Sequence, residues 1–241
     1  MCCPTDWART CFYKQRMCFS ASASFVAGTL LLTLGVVAVR RTRRAAECPF
    51  ALIPAWFGLQ QWLEGGLWLI LDQPQQVCLN TLLTQGFSVF SQVIWPIYIP
   101  LAVWLLEPAG WRRHTMGLLA LAGASVSLYL LWYLLHVPAV AQVQGQHITY
   151  IFPHFHQPLA TALYLLGACL SPMLSRFQAV RLFGLLATLS LLATAIFYSQ
   201  WLISVWCFFA ALLSSVILLH FPARAPGNLV RCRTDRVRLD T

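Results

Sequence analysis

The sequence predicts an all-α fold, an integral membrane bundle, and three observations carry that reading. Its 241 residues are 59% hydrophobic and only 10% charged, outside the balance of a water-soluble domain. The apolar residues gather into seven stretches, each close to the roughly 20 residues that cross a hydrocarbon core as a helix. Basic residues collect in alternate gaps between those stretches. Backbone groups in lipid must be paired internally, and runs such as 25–39 lack the alternation of barrel strands, so helices remain.

The first span is placed at 18–39 and is closed by Arg40, Arg41, Arg43 and Arg44. The second, 49–71, carries Pro54 and the polar residues Gln60, Gln61 and Glu64. The third, 87–106, holds Pro96 and Pro100 and is followed by Arg112 and Arg113. The fourth, 115–136, ends in Tyr129, Trp132 and Tyr133. A connection free of Lys and Arg, 137–156, leads to the fifth at 157–175, which contains Pro172 and precedes Arg176 and Arg181. The sixth, 178–199, and seventh, 200–221, abut and predict a tight helical hairpin. Prolines inside these spans are expected to mark kinks.

The charge pattern sets orientation. Arginines follow spans one, three and five and fill the tail at Arg224, Arg231, Arg233, Arg236 and Arg238, while 72–86 and 137–156 hold no Lys or Arg. The positive-inside rule then puts the N-terminus outside and the C-terminus in the cytoplasm of a multi-pass protein of the cell (inner) membrane. The net charge of +9 is thereby assigned to topology and lipid headgroups rather than to nucleic acid. One transmembrane domain is expected over 17–222, with a basic tail at 223–241. Arg9, Lys14 and Arg16 would weaken the asymmetry, so 1–16 is read as an upstream extension or disordered leader before Met17. Cys18 and Cys78 fall on one side and are compatible with a disulfide, subject to geometry. Nothing points to a nucleotide, flavin, haem or other cofactor.

Function rests on the second span. Glu64 is four residues from Gln60 and three from Gln61, so the three share a helical face, flanked by Gly58 and Gly65. A carboxyl inside a membrane costs roughly 2.5–3.5 kcal/mol on insertion scales, an expensive choice for mere packing. No Lys or Arg lies at its depth, so Glu64 is expected to be protonated or bonded to neutral partners. Depth matching adds Gln92 and Trp95 from span three, Tyr133 from span four, Trp206 from span seven and Trp68 from span two itself. These eight residues define an outward-facing polar pocket for a small molecule or a proton.

Two other functions fit the same residues. The polar face could pack against a partner in an oligomer or membrane complex, as a non-catalytic subunit. His154 and His156, at the mouth of span five, could instead hold a metal, with Glu64 as the general base of an intramembrane hydrolase. Imidazoles there, including His136 and His147, also suit a pH-sensitive outer gate.

The chain resembles a family of uncharacterised, mostly bacterial, polytopic membrane proteins known only as a domain of unknown function. The resemblance rests on Met17-Cys18-Phe19-Ser20, on Phe57-Gly58-x-Gln60-Gln61 with Glu64-Gly65 and Trp68, and on Trp206-Cys207-Phe208-Phe209-Ala210-Ala211. It implies the membrane class and a full-length match from Met17 to about Phe221, and no activity. Microbial rhodopsins fit worse, because the lone lysine, Lys14, lies outside every span.

Overall fold

The computed structural model describes residues 20–71, 73, 75–144, 147–152 and 157–221. The proposed leader, the basic tail, Cys18, His154 and His156 lie outside the described residues. The rest is mostly helical. Five helices are long and apolar enough to cross a membrane: Ala21–Arg41, Val77–Leu106, Trp111–His136, Gln178–Phe197 and Ser199–His220.

Helix α1, Ala21–Arg41, starts where the Ser20 hydroxyl accepts the Ala23 N–H at 3.3 Å. Its last turn carries Arg40 and Arg41, which suit the negative end of the helix dipole. A 3-10 turn and the short α2, Cys48–Ala51, reverse the chain into α3, Ile53–Ile70. Pro54 sits in the first turn of α3, where its missing N–H costs nothing, so it starts this helix rather than kinking it. The polar trio keeps the 18-residue α3 out of the strongly apolar set. The trio need not face lipid, because its side of α3 is buried against α1 and later helices, whereas Leu59, Trp62 and Leu69 lie exposed on the helix's outer side. Gly28 and Gly58 permit the contact: a Cβ on Gly58 would stand 2.8 Å from the Gly28 carbonyl oxygen.

The third span begins at Val77 rather than 87, as α4, Val77–Ser88, a π-helical turn, Val89–Ile94, and α5, Trp95–Leu106, in one rod. In π register the Ser91 carbonyl would look to the N–H of residue 96, which is proline and has none. The Tyr164 hydroxyl donates to it instead at 2.8 Å, and Ser127 donates to the Val93 carbonyl at 2.7 Å. The kink expected at Pro96 is therefore a π turn stitched to its neighbours. Helix α6, Trp111–His136, crosses at that point, and a Cβ on its Gly123 would collide with the Pro96 carbonyl oxygen. On the far face of α6, Leu118, Leu121 and Leu128 are each 68% exposed, the face a bilayer would cover.

The connection after α6 corrects a strictly all-α reading. Strands β1, Val140–Gln144, and β2, His147–Ile151, pair antiparallel with Ala141 opposite Tyr150 and Val143 opposite Ile148. Helix α7, Gln157–Leu165, continues through a second π turn, Leu166–Leu170, into α8, Ser171–Met173. The apolar helix counted there, Pro158–Met173, is shorter than the five. Helix α9, Gln178–Phe197, and α10, Leu202–Leu213, close the bundle, and 3-10 turns flank α10.

The arginine-rich turns contain two buried carboxylates. Glu47 accepts the Arg43 N–H at 2.7 Å and pairs with the Arg44 guanidinium at 3.0 Å. Burial alone would raise its pKa, but those donors outweigh it and hold the carboxyl below its ordinary 4.5. Glu107, 2% exposed, accepts from the Ser175 hydroxyl at 2.9 Å and the Arg176 N–H at 3.2 Å, fixing the turn before α9.

Candidate functional site

Glu64, Gln60 and Gln61 are 2%, 0% and 0% exposed, on the face of α3 that meets α5 and α10. Trp95, the first residue of α5, donates its indole N–H to Gln60 Oε1 at 2.6 Å, and its ring stacks on Phe57 at 3.8 Å. From α10, the Ser204 hydroxyl donates to Glu64 Oε1 at 2.5 Å. Cys207, one turn further along α10, is buried within reach of both Gln60 and the Glu64 carboxyl. No Lys or Arg pairs with Glu64 among the described residues.

Much of the hydrogen-bonding capacity here is unspent. Gln60 Nε2 and both amide atoms of Gln61 make no hydrogen bond of good geometry among the described residues, although Gln61 interacts with the Glu64 carboxyl and Gln60 with the Cys207 thiol. Leaving such groups buried and unpaired costs about 1–3 kcal/mol each. A donor-and-acceptor set of this kind can hold a polar guest or relay a proton.

Beside the polar group is a cavity of about 30 Å³, roughly the space of a water, walled by Phe57, Trp95, Tyr164, Phe183 and Trp206, with Cys207 at its edge. Trp206 is fixed there by donating to the Ala187 carbonyl at 3.1 Å.

The expected pocket residues divide. Gln60, Gln61, Glu64 and Trp95 come together, and Trp206 reaches the adjoining cavity. Trp68 is half-buried and packs in a second apolar cluster with Leu67 and Phe87. Gln92 is half-buried in the π turn and makes no hydrogen bond among the described residues. Tyr133 packs with Tyr129 and Trp132 at 4.9 and 5.0 Å near the end of α6. Cys78 carries a free, exposed thiol. Among the described residues, no three His, Cys, Asp or Glu side chains are grouped to hold a metal.

Sequence reading missed Ser204 and Cys207 as site members, and it missed Tyr150. Tyr150 comes from β2, is 8% exposed, and stacks on Phe87 at 4.4 Å with rings 8° apart. Its hydroxyl is buried without a hydrogen bond among the described residues. Burial, then the neighbouring Glu64 carboxyl and Cys207 thiol, push its pKa well above 10.0.

Residues 17–232 match a family described as a family of unknown function (DUF6629). No curated protein and no solved structure matches the chain.

Proposed function

Taking as premise that the chain belongs to that family of unknown function, we propose that it is a seven-span membrane protein that binds a small molecule or a proton at Glu64. The N-terminus faces outward and the C-terminus lies in the cytoplasm of the cell (inner) membrane. The five long apolar helices and the alternate placing of arginines support this arrangement, with α3 and the α7–α8 segment as the remaining two spans.

One observation carries the functional reading. A carboxyl with no cationic partner among the described residues is buried beside three amide atoms that lack a well-formed hydrogen bond there. Structural glue would satisfy these groups, since the low-dielectric interior penalises each unpaired one. A ligand-binding or proton-carrying site leaves them available. Gln60, Gln61, Ser204 and Trp95 then orient the guest, Glu64 supplies the proton-linked group, and Trp206 walls the apolar side. The polar helix α3 tolerates this cost because α1, α4 and α10 screen it from lipid.

Thermal-shift measurements in detergent test it, with a panel of amino acids, sugars, amines and nucleobases and with pH as the proton probe. The wild type is expected to gain stability from at least one panel class, or to show a pH response that Glu64→Gln lacks. Identical profiles for wild type and Glu64→Gln under every probe would overturn the reading.

A further inference from the structure

On the arginine-rich side, Glu47 ties its own turn and Glu107 ties one turn to another through Ser175 and Arg176, whereas the opposite end of the bundle is built differently. There a hairpin presses two side chains inward. Ile148 is 0% exposed, and Tyr150 joins it in a cluster with Leu67 of α3, Phe87 of α4 and Cys207 of α10. Alternation explains the selection: Ile148 and Tyr150 are two apart and share the inner face of β2, and the small Ala141 opposite Tyr150 leaves room for its ring.

The hairpin is tied at both edges. Gln85 of α4 donates to the Ala139 carbonyl at 3.1 Å, and His147 lies against Trp201 at 4.5 Å and Tyr198 at 5.6 Å. A groove of about 190 Å³, lined by Gln73, Asn80, Thr81 and Thr84, runs between β1 and the start of α4. Polar space therefore reaches one flank of the hairpin, while on the other Tyr150 packs in a cluster with Cys207, one turn along α10 from the Ser204 that bonds Glu64.

We infer that the Val140–Ile151 hairpin is the cover of the Glu64 chamber, and that Tyr150 is both its seal and a further polar wall of the site. The inference rests on the reading of Glu64 as a binding group and adds the route to it: a guest enters from the hairpin side when Tyr150 lifts off Phe87. The ring closes the path by stacking. The hydroxyl brings one more unpaired donor and acceptor to the set formed by Gln60, Gln61 and Glu64. The cover is held by side-chain packing and one hydrogen bond to α4, so it can open without breaking the backbone bonds of a helix.

A membrane-impermeant carbodiimide with an amine nucleophile tests access directly, read by mass spectrometry as adduct on the peptide containing Glu64. In right-side-out vesicles the wild type is expected to label slowly and Tyr150→Ala roughly tenfold faster, the scale of losing a buried aromatic pair. Tyr150→Phe, which keeps the ring, stays near wild type. A variant with 140–151 replaced by a flexible Gly/Ser linker gives an independent opening if Tyr150→Ala fails to fold. Equal labelling of wild type and the opened variants overturns the inference, as does a rise confined to inside-out vesicles. These readouts need no ligand, so they stand or fall apart from the thermal-shift panel.

Discussion

Glu107 and Glu64 are both carboxyls at 2% exposure, yet their partners differ in kind. Glu107 is satisfied by Ser175 and Arg176, so Glu107→Ala should strand a buried hydroxyl and a backbone N–H. A loss of about 1–3 kcal/mol is expected, measured by reversible unfolding in mixed micelles. Ser204→Ala should cost less, about 0.6–1.7 kcal/mol, the range for hydrogen bonds between membrane helices. Helical spacing made Glu64 and its glutamines legible in the sequence, because residues three and four apart must share a face. Ser204 was legible as a polar residue at matching depth, but its bond to Glu64 depends on how α10 is rotated about its axis. Glu107 gave no such signal: at the end of a span, before Pro108, it reads as an ordinary solvated turn residue.

Among the elements, the π turn Val89–Ile94 and the β hairpin depart most from simple spans. Tyr164→Phe removes the donor that satisfies the Ser91 carbonyl. A loss of about 1 kcal/mol is expected in the same unfolding assay, and Phe183→Leu, which touches no hydrogen bond of the turn, is the comparison for simple packing loss. Pro96 was visible as an irregularity, but proline does not reveal whether a helix bends or widens by a residue. The hairpin had its own signature, two short alternating runs around a two-residue link containing Gly145, overlooked because the segment read as a loop between spans. Its docking should depend on pH through His147, whose imidazole is held below its ordinary 6.5 by burial. Docking is then fully stable above pH 6.5 and weakens as pH falls below it towards the lowered docked value. Amide exchange in β2 should therefore quicken under mild acid, and His147→Asn should flatten that response.

For the whole molecule, the orientation drawn from the arginines has a native reporter. Cys78 at the start of α4 is exposed and free, so an impermeant maleimide should modify its peptide in right-side-out vesicles. Modification only in inside-out vesicles would reverse the topology. The helical class could be read early because hydrocarbon thickness and backbone pairing leave few alternatives. The packing that makes α3 central could not, since α1 and α10 contact it from opposite ends of the chain. The bond between Glu64 and Ser204 spans 140 positions of sequence. A ribosome therefore delivers the carboxyl to the translocation machinery long before its hydroxyl partner has been synthesised. Truncating α10 would leave that carboxyl without its hydroxyl partner, so the yield of folded protein should fall, as read by size-exclusion profiles in detergent.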